Sequence, residues 1–197
     1  MRDCWYGDNR DIVKWSVLYL LAEAFAVRRV LQIAYYRPCE VGTVVVDGME
    51  HGVPEAVSRH FRDIQGIIGM RAPFQVTLHA EPFEDREAYL NSVLALLEKH
   101  KDERRIVFLD LDTGLQPERR HDLRHVLESE AAAIWNAMAQ GDVYVFYQHM
   151  TNRAGRPWID AKREQLERAL AVSNGTIKVA SGPSIAHDVA FFYAEKP

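Results

Sequence analysis

The stretch "VFLDLDTGLQP", residues 107–117, opens apolar, sets Asp110 and Asp112 around a single leucine, and turns on Gly114 and Pro117. An apolar run closed by turn residues reads as a buried strand that ends in a polar tip. The elements on either side decide what kind of sheet contains it. Upstream, "FQVTLHA" (74–80) alternates as a strand does, and "EDREAYLNSVLALLEKH" (84–100) begins acidic and ends basic, the order a helix dipole favours. Downstream, "SEAAAIWNAMAQGD" (129–142) predicts a short helix with Ser129 as its cap and Gly141 as its end. "DVYVFYQHM" (142–150) predicts a strand and "RPWIDAKREQLERALAV" (156–172) a helix.

Further out, residues 8–27 predict a long first helix capped by Asp8 or Asn9, with Ile12, Trp15, Tyr19 and Leu20 at near-helical spacing. "RRVLQIAYY" (28–36) predicts a buried strand that stops at Pro38. The three glycines of "CEVGTVVVDGMEHGVP" (39–54) suit an irregular loop or a short hairpin, and a helix follows from Pro54. "GTIKVA" and "HDVAFFYAEK" add two last strands. Strands alternating with helices require crossovers. The expectation is a single three-layer Rossmann-like α/β domain over residues 1–197, with a mostly parallel sheet, helices on both faces and an antiparallel C-terminal edge strand. Ligands of such sheets sit beyond the carboxyl ends of the strands, which points to three tips: 35–37, 110–114 and 148–152.

Composition narrows the function classes. With 197 residues, 48% of them hydrophobic, the chain can bury a sizeable core, and a net charge of -4 gives no global footprint for nucleic acid. The apolar run 12–27 is interrupted by Lys14, Ser16 and Glu23, so it reads as a core helix rather than a membrane span. Arg2, Asp3 and Asp8 replace the basic-then-apolar start of a secretory leader. With Cys4 and Cys39 as the only cysteines, a cytoplasmic protein with two free thiols is expected. No zinc-type spacing of His and Cys occurs, and the surroundings of Ser181 lack the flanks of a nucleophile elbow.

Three polar groupings are candidate sites. Asp110 and Asp112 share a face if the strand extends that far, and two adjacent carboxylates favour a bound cation, a raised pKa or an amine-bearing substrate. The same two residues also suit a plain Asx-type turn into Thr113 and Gly114. "YGDNRDIVKW" places Asp8, Asn9, Arg10, Asp11 and Lys14 at a helix start, either as a ligand-facing cluster or as a capped helix with one ion pair. "YQHMTNR" ends a strand with Gln148 and His149 and continues to Asn152 and Arg153. His149 suits acid/base work or a structural hydrogen bond.

The order of these motifs resembles the large-subunit ribosomal RNA adenine-N6 methyltransferases, which open with a His-Ala-Gly-Asn-x-Ala-Asp-Val-x-Lys-His segment and carry an Asp-Pro-Pro-type tetrad at a later strand end. Gly7, Asn9, Asp11, Val13 and Lys14 approximate the first segment, with Asp8 intruding, and Asp110 matches the first tetrad position. Leu111 and Asp112 stand in place of the prolines, and "IAYYRP" stands where a Gly-x-Gly would follow the first strand. The resemblance implies a methyltransferase-like protein that uses S-adenosylmethionine on a nucleic acid base. Tyr6, Gly7, Asp8, Asn9, Asp11 and Lys14 would then lie at the cofactor, Asp110, Asp112 and His149 in catalysis, and Thr113, Gly114, Gln148 and Arg153 at the substrate. The chain is also similar to a group of uncharacterised bacterial proteins with an Asp-x-Asp-(Asn/Thr)-Gly strand end and a later strand ending Tyr-Gln-His. Two alternatives are a degenerate, non-catalytic Rossmann-like binding module and a Mg2+-dependent phosphoryl or phosphodiester hydrolase using Asp110 and Asp112, similar to the haloacid dehalogenase-like phosphatases.

Overall fold

The computed structural model describes residues 2, 4, 6–117, 122–150 and 157–197. Helix α1 (Asn9–Ala24) leads into β1 (Arg29–Ile33). The hairpin β2 (Thr43–Val46) and β3 (Met49–Gly52) follows, then α2 (Glu55–Arg62) and a 3-10 turn (Ile64–Gly69). Next come β4 (Gln75–His79), α3 (Arg86–Lys99), β5 (Ile106–Leu109), and the two-residue strands β6 (Gly114–Leu115) and β7 (His125–Val126). The chain ends with α4 (Glu128–Ala137), β8 (Val143–His149), α5 (Ile159–Ala169), β9 (Lys178–Gly182) and β10 (Ala186–Glu195).

Six strands form the central sheet in the order β4-β1-β5-β8-β10-β9. β4, β1, β5 and β8 run parallel, and β10 is antiparallel to both β8 and β9. The reversed C-terminal strand was expected at the edge, but β10 is internal and β9 is the edge. The reason lies in its residues. Val189, Ala190, Phe191 and Phe192 are all buried, so successive side chains on both faces need cover and both backbone edges need partners. β9 carries only partly covered and exposed residues, the pattern an edge tolerates.

Side-chain parity separates the helix layers. On β8 the Tyr144 ring meets Trp135 of α4, while Tyr147, an odd number of residues away, lies under Lys14 of α1. α1 and α4 therefore cover opposite faces, and α3, α4 and α5 pack in sequence on the α4 side. α1 buries Val13, Val17, Leu18 and Leu21 together with Asp11 and Lys14, while Ile12, Tyr19 and Leu20 are exposed. The buried stripe is thus turned from the expected one, because Asp11 and Lys14 reach inward to charged partners. A Cβ added at Gly182 of β9 would lie 2.9 Å from Val13, so the missing side chain lets α1 approach the sheet.

One further local expectation holds and two change. Asp8 is the cap of α1, accepting from the Arg10 and Asp11 amides, as one of the two expected residues. For α4 the N-cap position is Leu127, whose amide donates to Glu130 at 2.8 Å; Ser129 lies inside the first turn, and the helix ends at Met138 before Gly141. Cys4 and Cys39 are joined in a disulfide with Cα atoms 5.9 Å apart, in place of the expected free thiols. Sequence separation hid this pair, since the loop after β1 returns to the N-terminal segment only in three dimensions. At the opposite end of the sheet, the buried Arg105 holds the starts of β5 and β8 together. Its Nε donates to Asp142 Oδ2 at 3.1 Å and its Nη1 to the Leu97 carbonyl at 2.6 Å. Among the described residues no helix is long and apolar enough to cross a membrane.

Candidate functional site

The connection leaving β1 goes to β4 on one side, and the next returns past β1 to β5 on the other. The strand order therefore reverses between β1 and β5, and a crevice opens beyond their carboxyl ends. A cavity of about 660 Å³ lies there, lined from the start of α1, the loop after β1, the turn after β5, the end of β8 and the start of β10. Being antiparallel, β10 presents its N-terminal end, with His187 and Asp188, at the same place.

Lys14 lies at the centre of the polar wall. It is only 4% exposed, and its Nζ donates to Asp11 Oδ1 at 2.5 Å and to Asp110 Oδ2 at 3.0 Å. Gln32, 1% exposed on β1, donates from Nε2 to the same Asp110 oxygen at 2.7 Å. The Gly7 amide donates to Asp11 Oδ2 at 2.7 Å. Burial pushes the Asp110 carboxyl above the usual carboxylate range, against the pull of Lys14. Burial alone would lower Lys14, but Asp110 and Asp11 outweigh it and hold the ammonium raised. The N-terminal cluster and the acidic strand end therefore form one network.

Asp110 and Asp112 take different partners among the described residues. β5 ends at Leu109, so the strand does not carry both on one face. Asp112 pairs instead with Arg37 from the loop after β1, which brings that third tip into the site. On the β8–β10 side, Arg10 joins Asp8 at 2.9 Å and Asp188 at 2.5 Å, and His149 Nε2 lies 3.2 Å from the same Asp188 oxygen. Burial works against the charge on Asp188, but the Arg10 hydrogen bond brings its carboxyl below the usual range. Among the described residues no group of three or more His, Cys, Asp or Glu side chains is arranged to hold a metal ion.

Asp8, Asp11, Lys14, Asp110, Asp112, Thr113 and His149 all line the cavity. Other expected residues lie behind it. The Tyr6 ring packs on Ala34 and Ile64, and Asn9 is exposed outside the lining. Gln148 is fully buried and pins the turn: its Oε1 accepts from the Leu115 amide at 2.9 Å, and its Nε2 donates to the Thr113 and His149 carbonyls. Gly114, at φ +121°, passes so close that a Cβ there would lie 2.4 Å from the Gln148 carboxamide. Arg153 and Asn152 lie outside the described residues. Sequence reasoning missed Gln32, Arg2 and Asp188. The first had a signal, a lone polar residue inside the apolar strand "RVLQI"; Arg2 and Asp188 had none, since the chain fold alone brings them to the cavity. Comparison with family models, with curated proteins and with solved structures gave no match.

Proposed function

We propose that the cavity binds S-adenosylmethionine and that the protein methylates an exocyclic amine of a nucleic acid base. The observation that carries this reading is the Lys14–Asp110 contact, which joins the two segments resembling the adenine-N6 methyltransferases at the sheet's switch point. The residues present fit the cofactor. Both signs of charge line the cavity, suiting a zwitterion: Asp8 and the Arg37–Asp112 pair for its amino-acid end, with Leu111, Tyr147 and Met150 as apolar surface for a purine. In place of a glycine loop, Tyr35 itself takes positive φ (43°) just after β1, so the backbone makes a left-handed turn there without glycine.

When bound, S-adenosylmethionine supplies an electrophilic methyl group. Asp110 is the acceptor for the base amine, orienting the nitrogen lone pair. Lys14 and Gln32 fix the carboxylate, and Lys14 balances its charge in a dry wall. His149 with Asp188 is the basic pair available for the proton that the nitrogen releases. A second reading, a non-catalytic nucleotide-binding module, is favoured by one fact: Asp110 Oδ2 already accepts from two internal donors. Labelled S-adenosylmethionine with single-stranded RNA and DNA separates the two. Transfer by the wild type, lost in Asp110→Asn while cofactor binding persists, supports the enzyme. Binding with no transfer supports the module, and absence of binding overturns both.

A further inference from the structure

Residues 41–62 include no buried side chain. Every residue of β2 and β3 is exposed, α2 buries nothing, and among the described residues the two strands form a sheet of their own. A lone two-stranded hairpin is marginal in water, and so is a helix as short as α2. Yet both elements are apolar: Val44, Val45, Val46 and Met49 of the hairpin and Val57 and Phe61 of α2 are 43% to 67% exposed. The backbone shows where a further strand fits. The hairpin closes on the two-residue turn Asp47–Gly48, both at positive φ, so the flanking Val46 and Met49 form a hydrogen-bonded pair. By alternation Val44 and His51 form the next one, and the N–H and C=O groups of Thr43 and Val45 point away from β3, along the outer edge. β2 carries no charge and no proline on that edge, whereas β9, at the edge of the central sheet, shows an exposed Lys178.

We propose that β2 pairs antiparallel with β2 of a second copy of this chain, across a two-fold axis at Val45, giving a homodimer with a four-stranded sheet in the order β3-β2-β2-β3. At that axis the two Val45 residues exchange both of their outward N–H and C=O bonds. Val44 of one copy then faces Val46 of the other, so Val44, Val46 and Met49 of both copies line one face; a shift by one residue would place Val45 and Glu50 among them. The six exposed apolar side chains of each copy offer an area on the order of the 800 Å² that one partner of a standard interface buries. Charge also selects the occupant. Between Arg37 and Arg59 the chain carries Glu40, Asp47, Glu50 and Glu55 but no Lys or Arg, which does not suit a phosphate backbone. Arg59 and Arg62 lie in the last turn of α2. Each copy thus carries an acidic and a basic end, the self-complementarity that a two-fold interface requires.

The dimer stands independently of the S-adenosylmethionine site. Sedimentation velocity of the wild type should show a monomer–dimer equilibrium with a Kd of about 1 μM or tighter. Val45→Lys, which sets two ammonium groups across the axis, should weaken it at least roughly ten-fold while the circular dichroism spectrum stays unchanged. Ile68→Lys, at an exposed position outside the hairpin, should dimerise as the wild type does. Oxidised mixtures of Val44→Cys and Val46→Cys protein should cross-link beyond either variant alone, which reads the register. A wild type that stays monomeric up to about 100 μM, a Val45→Lys dimer as tight as the wild type, an equal loss in Ile68→Lys, or no extra cross-linking in the mixture would overturn the proposal. So would hairpin amides that become protected from hydrogen exchange only when single-stranded RNA is added.

Discussion

Lys14→Met removes a cation shared by two buried carboxylates while keeping a stem of similar length. Asp11 and Asp110 then stand in the wall without the ammonium 2.5 and 3.0 Å away. Breaking a buried pair by deleting one partner costs about 3–5 kcal/mol, which for a chain of this size lowers Tm by roughly 6–20 °C. The loss must depend on pH. Burial already raises Asp110, and Lys14 is the largest influence lowering it, so its removal lifts the carboxyl further. A raised folded-state pKa makes ionisation unfavourable above it. The penalty is therefore full at alkaline pH and relieved as pH falls through the raised value and Asp110 takes up a proton. Urea unfolding followed by circular dichroism at about pH 8 and about pH 5 reads both effects. Adding Asp110→Asn should restore part of the loss at the higher pH. A deficit below about 1 kcal/mol, the size of a surface pair, or one equal at both pH values, would refute the buried triad.

Gly114→Ala should destabilise by about 2–4 kcal/mol, since the new Cβ meets the Gln148 carboxamide at positive φ; a chemical denaturation midpoint like that of the wild type would contradict this. Asp142→Ala should cost about 3–5 kcal/mol by stranding the buried Arg105 guanidinium at the far end of the sheet, without touching ligand binding. Asp188 has a lowered carboxyl, so its contribution to stability is present above the unfolded value and lost as pH falls through the folded one. Asp188→Asn should therefore lose stability near neutrality and flatten the acid limb of the unfolding curve; an acid limb parallel to the wild type's would contradict that.

The parts of the fold that sequence pattern revealed are those governed by local rules. Residues 74–80 alternate, 142–150 run apolar, and 84–100 carry a dipole-ordered charge gradient; each forms its expected element. Burial direction was less legible. The apolar residues of α1 allow two stripes, and the choice was made by Lys14, which bridges Asp11 on its own helix to Asp110, a residue 96 positions away. The place of β10 likewise follows from burial on both sides of its aromatic run, which pattern alone did not reveal. For the site, the three strand tips were visible as polar ends of apolar runs. What joined them was less so: Gln32 showed only as a lone polar residue in β1, and the contacts of Asp188 from β10 and the Cys4–Cys39 bond arise from chain crossings that no local spacing encodes.

Isothermal titration of S-adenosylmethionine into the oxidised wild type and into Lys14→Met tests most directly whether the N-terminal cluster and the acidic strand end make one ligand site. Saturable binding to the wild type, weakened at least roughly ten-fold (1.4 kcal/mol) in the variant at a pH where it remains folded, is the predicted result. Absence of heat with the wild type, or equal affinity in a folded variant, would contradict the account.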